Sequence, residues 1–466
     1  MPGAMRVGHL IGPELREILR ESPDDVRAVL DEFHPEDIAD VVAELPDEEA
    51  AKILGRMSAS DAATIFERLE DHEQEAIAEE LGPESTAQIA AEMAPDDRAD
   101  LFETLDDETS EAVLAKLEKI DPEAAEEVAE MDQWPQASAG RLMTPAYVSV
   151  SPSGTVEDAV REIRENREAE TANYVYLVNE KDRLIGVVSI RELLLAQPAT
   201  KLSEIATENF ISVPPAMDQE EVARRMAKYD LTALPVVGDR GVFLGIITVD
   251  DIIDVLTEEQ SEDVQKLGAV EPLEAPYFAT SFATFIKKRA AWLLALFVGE
   301  FFTGTALRSY DTILGAVTTL SFYVPLLVST GGNSGGQSSS LIIRGMATGD
   351  IRLQDWRRVL GRELAQGLTL GVFLACVGMA RVMIWGDGFR FALVIGVTLV
   401  GIVIMGCTVG SMLPFILKRM KFDPATSSAP FIASLVDVLG IIIYFNVARI
   451  VLADVIAAAA KTAPPH

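Results

Sequence analysis

From residue 288 onward the chain consists of long apolar stretches joined by short connectors, and a sequence of that kind has few ways to fold. Each stretch is near the ~20 residues a helix needs to cross a bilayer. Inside a bilayer the backbone must satisfy its own polar groups, so stretches of this length are read as helices. Five spans are predicted, at about 290–307, 313–343, 359–385, 390–417 and 426–456, which makes residues 288–456 a five-helix transmembrane domain in contact with lipid. Lys287, Lys288 and Arg289 precede the first span. Arg352, Arg357, Arg358 and Arg362 lie between the second and third, and Lys418, Arg419 and Lys421 between the fourth and fifth. The positive-inside rule puts these three clusters on one side, with the N-terminus in the cytoplasm and the C-terminus outside.

The last span carries an aspartate near its middle, Asp437, with no Lys, Arg or His within ten residues on either side. A carboxylate at mid-membrane costs roughly 2.5–3.5 kcal/mol on insertion scales, so it normally faces a wet cavity or a partner charge. A passing cation fits that place; the plainer reading is a protonated acid hydrogen-bonded within a bundle. Ala429 and Ala433 share a helix face with Asp437 and form a smooth lane leading to it. Such a lane suits a large hydrated ion, and magnesium keeps several waters because it dehydrates reluctantly. Two copies facing each other across a dimer axis would bring two Asp437 side chains together. The second span holds Gly331-Gly332-Asn333-Ser334-Gly335-Gly336-Gln337-Ser338-Ser339-Ser340. Its small residues suit close helix packing, and its amides and hydroxyls suit an ion's water shell. Glu300, in the first span, is read as the other membrane acid and is left out of the core site.

The formal charge of −34 is unevenly distributed. Residues 287–466 hold 16 Lys and Arg against 9 Asp and Glu, and the residues before them 23 against 64. An acidic front excludes nucleic acid as a partner, since such proteins need a positive face. It suits a soluble part that attracts cations, or an ordinary solvated acidic surface. The N-terminus has no uninterrupted apolar core of signal-peptide length, so the front is expected to stay in the cytoplasm. Cys376 and Cys407 fall in apolar segments, and the four histidines show no transition-metal spacing.

Residues 14–131 read as an all-α acidic N-terminal domain of short helices separated by Pro-Asp-Glu and Pro-Asp-Asp turns. Within about 138–256 the chain repeats itself at an offset of 59, with Gly186 over Gly245 and Ser189 over Thr248. Each copy reads as a helix (158–167, 218–229), a hairpin and a second helix that opens after Ser or Thr. This pattern, with its Leu142-Met143-Thr144-Pro145 opening, resembles a tandem pair of α/β CBS domains, modules that often bind adenine nucleotides. Residues 250–271 read as an acidic linker helix on which Asp251, Asp254, Glu258 and Glu262 share one face. Two carboxylates ~5 Å apart repel by about 3 kcal/mol at an effective dielectric near 20, so a bound divalent cation would hold such a face against its neighbours. A solvated stripe is the alternative.

Together these parts resemble the MgtE family of magnesium channels or transporters, a resemblance that runs from about residue 30 to 456. Its most specific pieces are Phe322-Tyr323-Val324-Pro325, Gly331-Gly332-Asn333 with Gln337, Leu341-Ile342-Ile343-Arg344, and Asp423-Pro424 leading to Asp437. The resemblance implies a multi-pass homodimer in the cell inner membrane with a Mg2+ path on the dimer axis. Asp437 would be its pore acid, with Ala433 and Asn333 beside it. It also implies that cytosolic Mg2+ closes the pore through the linker, or plug, helix, where Asp251, Asp254, Glu258, Glu259, Glu262 and Asp263 occupy the corresponding positions. Asp96, Asp97 and Asp100 would be their partners on the helical domain, and Glu220 and Asp230 on the second CBS copy. ATP would bind the CBS pair through Tyr174 and Arg191. Glu192 stands where an aspartate is expected, and Ala429 where some members have a polar residue. A proton-coupled divalent-cation carrier, and a membrane-anchored nucleotide or Mg2+ sensor that conducts nothing, remain open at this point. No nucleophile–base pair marks an enzyme.

Overall fold

The computed structural model describes residues 33–166, 169–273 and 275–462; the stretch 14–32 of the expected acidic domain lies outside them. The chain divides between Glu259 and Gln260 into two compact units.

The first unit opens with α1 (Pro35–Ala43), α2 (Asp47–Leu54), α3 (Ala59–Phe66), α4 (Asp71–Glu92), α5 (Pro95–Thr104), α6 (Asp107–Ile120) and α7 (Pro122–Asp132). The proline-acid turns read from the sequence are helix starts. Pro35, Pro95 and Pro122 occupy the first turn, where a missing N–H costs nothing. The Asp121 carboxylate caps α7 by accepting from the amides of Glu123 and Ala124, both at 3.1 Å. Inside α4, Gly82 adopts φ 75°, a value glycine tolerates, and Pro83 follows, so the helix bends there. One face of each helix meets a shared core that includes Ile38, Phe66, Ile77 and Leu117.

The repeat follows. Strand β1 (Ser149–Val150) pairs in parallel with β2 (Tyr174–Val178), which pairs antiparallel with β3 (Leu184–Ser189). Between β1 and β2 runs α8 (Val156–Glu165), and after β3 come α9 (Ile190–Leu195) and α10 (Leu202–Ile205). The second copy consists of α11 (Gln219–Tyr229), the antiparallel strands β4 (Ala233–Val237) and β5 (Phe243–Thr248), and α12 (Val249–Leu267). Gly186 faces Leu177 in one hairpin and Gly245 faces Val236 in the other, so the 59-residue repeat is also a repeat of register. A Cβ on Gly245 would lie 2.7 Å from the Thr144 carbonyl oxygen. The residue is small because the opening segment of the first copy pairs with the second copy's strand there, Thr144 N–H to Ile246 O at 2.8 Å. The last helix of the CBS pair and the acidic linker are one continuous element, α12.

The second unit contains α13 (Phe282–Arg308), α14 (Asp311–Ala316), α15 (Val324–Ala347), α16 (Trp356–Trp385), α17 (Phe389–Arg419), α18 (Ala429–Val451) and α19 (Ala453–Thr462). By length and composition α13, α16, α17 and α18 can cross a membrane. Helix α15 has 24 residues and is not among those four. The expected span 313–343 is not one helix. It begins with the short α14 and a 3-10 turn at Thr318–Tyr323, and α15 starts only where Pro325 enters its first turn. The Tyr444 hydroxyl donates to Leu320 O at 2.9 Å, and the Tyr323 hydroxyl donates to Asp387, which pins that turn.

Glycine sets the spacing of this bundle. A Cβ on Gly371 would meet the Val400 Cα at 2.9 Å, bringing α16 and α17 into backbone contact. A Cβ on Gly410 would lie 2.1 Å from the Gly335 carbonyl oxygen, and one on Gly406 would lie 2.6 Å from that of Gly331. Gly410→Leu is therefore expected to force α15 away from α17 at a cost above the ~1–3 kcal/mol of ordinary overpacking. Thermal unfolding of the purified protein in detergent checks this; an unchanged melting temperature would mean the two backbones do not meet as described.

Candidate functional site

Helices α15 and α18 border an open groove of about 1000 Å3, and Asn333, Ala433 and Asp437 all line it. The glycines of α15 divide into two sets. Gly331 and Gly335 are turned toward Ile402 and Gly406 of α17, where they serve packing. Gly332 and Gly336 face α18: a Cβ on Gly332 would sit 3.0 Å from Ala433 Cβ and 3.9 Å from an Asp437 carboxylate oxygen, and one on Gly336 3.2 Å from Ala429 Cβ. The lane Ala429–Ala433–Asp437 thus runs along a bare strip of backbone, and the glycine run packs with one face and borders the groove with the other. Ser329, Gln337 and Ser340 bring further hydroxyl and amide groups to the groove. Glu300 is not part of the groove lining, but it accepts from the Ser434 hydroxyl at 3.3 Å, one turn from Asp437, and its charge acts on that residue.

A second acidic site forms inside the first unit, where the first turn of α5 approaches the start of α12. Burial, then the charges of Asp251, Asp97 and Glu170, hold Asp96 well above the usual carboxylate range, and its Oδ1 is buried without a hydrogen-bond partner. Burial, then Glu67, Asp100, Asp251 and Glu170, push Asp97 up to about 8. Asp251 is raised by burial and by Asp250 and Asp254, although the Thr248 hydroxyl and amide donate to it at 2.6 and 3.2 Å. An orphaned, buried carboxylate oxygen among like charges is what a hard cation with oxygen ligands would relieve. Among the described residues no three His, Cys, Asp or Glu side chains close into a ready-made cage, so waters would complete any coordination shell. Glu67 and Glu170 belong to this cluster although the sequence reading did not name them; no periodic signal marks them. At its edge the buried Arg141 guanidinium donates to Ala99 O at 2.8 Å and pairs with Glu103 at 2.9 Å and Asp100 at 3.8 Å.

The single acidic face expected on the linker is split between neighbours. Asp251 joins the α5 cluster, and Glu259 accepts from the Gln219 amide at 2.9 Å. Glu262 pairs with Lys266, which also reaches Asp423 at 2.7 Å. Glu220 pairs with Arg224 at 3.2 Å on its own helix, and Asp230 ends α11 in the left-handed conformation. Neither is among the charges that shift Asp96 or Asp97. Between the CBS copies a cleft of about 330 Å3 is lined by Tyr174, Tyr176, Ser189, Glu192 and Asn209, among others. The Tyr176 hydroxyl is buried there without a partner. Glu192 is engaged with the Ser189 hydroxyl and amide, both at 2.9 Å, and the exposed Arg191 is not in the lining.

The fold and this groove define a membrane transport protein that carries an acidic helical domain and a CBS pair. Residues 324–447 match the family described as "Divalent cation transporter", 33–137 the "MgtE intracellular N domain", and 139–199 and 202–258 the CBS domain. The magnesium transporter MgtE of Thermus thermophilus is 45% identical over 335 residues, 72% of this chain and 74% of that relative. The MgtE of Bacillus subtilis is 35% identical over 316 residues, 68% of this chain and 70% of that protein. A crystal structure of the soluble part of a magnesium transporter superimposes with a TM-score of 0.50 at 31% identity, covering 53% of this chain and 97% of that one. The chain belongs to the MgtE family of magnesium transporters, and is a transporter and not an enzyme.

Proposed function

We propose that two copies of the chain form a magnesium channel with its path on their shared axis, closed by Mg2+ on the cytoplasmic face. The observation that carries this reading is Asp437 on the wall of an open groove, with Gly332 and Ala433 beside it. A second copy would close the groove and add a second Asp437, and the small neighbours leave room for a cation that keeps its waters. Asn333 would face that water shell. In this reading α13 and α15–α18 are the five spans of an inner-membrane domain at 288–456. The domain at 14–131, the CBS pair at 138–256 and the linker at 250–271 lie in the cytoplasm, and the C-terminus lies outside. Asp96, Asp97, Asp100, Asp251 and Asp254, joined by Glu67 and Glu170, form the principal cytosolic Mg2+ sensor. Glu258, Glu259, Glu262, Asp263, Glu220 and Asp230 extend it. An adenine nucleotide such as ATP would enter the cleft at Tyr174 and give Tyr176 a partner, with Arg191 reaching it only from the rim.

The test is Mg2+ flux into liposomes holding the purified protein, with Mg2+ varied on the cytoplasmic face. Flux that falls as this Mg2+ rises supports pore and sensor together. Flux that ignores it removes the sensor, flux that follows the proton gradient favours a coupled carrier, and no flux favours an anchored sensor.

The sensor also makes a pH prediction. A carboxyl raised from 3.8 to about 8 binds more protons docked than undocked. Docking of α5 on α12 is therefore most favoured below the ordinary value and weakens as pH rises through about 8. In the absence of Mg2+ the full-length protein is expected to melt lower at about pH 8 than at about pH 6, and added Mg2+ to raise the melting temperature more at the higher pH. Equal Mg2+ shifts at both pH values would remove Asp97 from the site.

A further inference from the structure

The acids of the second unit include one that neither the groove nor the sensor uses. Glu363, in the second turn of α16, is 5% exposed. It faces α15, whose Ser338 hydroxyl donates to its Oε2 at 2.7 Å. With the Gln366 amide in the orientation its neighbours require, its nitrogen donates to Oε1 at 3.2 Å while its oxygen accepts from Arg362 Nε at 3.3 Å. Both carboxylate oxygens are therefore engaged, one of them by the helix that lines the groove.

A buried acid in a membrane bundle is costly, and a leucine would fill the same space without that cost. The need for it follows from the surface of α15. Gly331 and Gly335 admit Ile402 of α17 and Val436 and Ile432 of α18 against their bare backbone, so the contact is close. Apolar packing of this kind is not directional and leaves the fine rotation of α15 to polar contacts. The side-chain heads of a helix lie ~5–6 Å from its axis, so a rotation of about 20° would carry Asn333 and Gln337 about 2 Å across the groove. Recognition of a hydrated ion needs its partners held within about 0.5 Å. Two directional bonds resist such a rotation, made by consecutive residues toward different neighbours. Ser338 bonds Glu363, and the Ser339 hydroxyl donates to Ser427 O, just before α18, at 3.2 Å. Of the two, the first is the shorter, 2.7 Å against 3.2 Å.

We propose that Glu363 is a positioning residue of the ion path: through Ser338 it sets the rotation of α15 and with it the placement of Asn333 and Gln337 opposite Ala433 and Asp437. This rests on the pore reading above. The role requires an acceptor at this place and not a titrating group, so glutamine, whose carbonyl also accepts, is expected to substitute for it.

The experiment compares Mg2+ and Ca2+ fluxes in liposomes for the full-length protein and its Glu363→Ala, Glu363→Gln, Ser338→Ala, Glu363→Ala/Ser338→Ala and Asp437→Ala variants, each checked for its assembly state by size exclusion. Glu363→Ala and Ser338→Ala are each expected to lower Mg2+ flux about tenfold, the scale of one hydrogen bond whose buried partner is left unpaired. Because they remove the same bond, the double variant should be no worse than Glu363→Ala. Glu363→Gln should keep most of the flux. The preference for Mg2+ over Ca2+ should narrow in Glu363→Ala, a change that mere loss of folded protein would not produce. Wild-type flux and preference in Glu363→Ala would overturn the proposal, as would additive losses in the double variant or equal damage from Gln and Ala. If Glu363→Ala fails to assemble, Ser338→Ala and Glu363→Gln still decide: the first must lose flux and the second keep it. Wild-type conduction by Asp437→Ala would instead bring down the pore reading itself.

Discussion

Asp437→Ala is expected to carry no measurable Mg2+ into liposomes while assembling as the unmodified protein does. The carboxylate is the acid that lines the α15–α18 groove, and the lining beside it offers glycine, alanine and amide groups, which cannot replace its charge. At an effective dielectric near 20, a unit charge pair about 4 Å apart gains about 4 kcal/mol, and a divalent ion about twice that. Even half of this, lost from the step that admits the ion, lowers occupancy about a thousandfold. Stability should not suffer, because removing an acid from a membrane helix removes a cost. Ala433→Leu provides a companion measurement: it leaves the charge and fills the lane, and should block flux equally. Wild-type flux through Asp437→Ala would sink the pore assignment, whereas loss there with wild-type flux in Ala433→Leu would mean that the charge matters and the lane does not.

The second large effect concerns closure. Asp97→Ala with Asp251→Ala is expected to conduct Mg2+ at a rate that no longer depends on cytoplasmic Mg2+. A cation shifts a two-state equilibrium only by binding the two states differently, and moving a population from 1:99 to 99:1 takes about 5.5 kcal/mol of differential affinity. Two pairs of carboxylates at ~5 Å, each repelling by about 3 kcal/mol until a cation intervenes, supply that scale. Removing Asp97 and Asp251 deletes the repulsion and the ligands together, so the response disappears. Arg141 remains in this variant and still ties α5 to the start of the CBS pair through Ala99 O and Glu103. A flat dependence would therefore not be explained by release of the helical domain. Flux measured across a range of cytoplasmic Mg2+ is the readout. Ordinary inhibition with the wild-type midpoint would show that these acids are only a crowded surface.

Much of this was legible because it is written locally. Asp437 stands out because a lone acid in an apolar run violates the composition around it, and Ala429 and Ala433 follow from helical spacing alone. The CBS register follows from a repeat, and Gly186 and Gly245 keep their places in both copies. Spacing along the chain says which residues share a face. It does not say what that face meets. Gly331 and Gly332 are neighbours in the sequence, yet one packs on α17 and the other opens onto the groove. Ser338, Ser339 and Ser340 read alike, and of the three only the last lines the groove. Glu258 and Asp251 share a helix face, but it is Asp251 that meets Asp96 and Asp97. Glu67, Glu170 and Arg141 join or border the acidic cluster from segments with no periodic signal of their own. Helix periods, spans and repeats are encoded within a few turns of chain, so the sequence by itself determined the elements, the acid of the last span and the acidic character of the front. The tertiary structure decided which acids crowd together, which glycines pack and which serines anchor, because burial and Coulomb energy depend on distances between segments far apart in the chain.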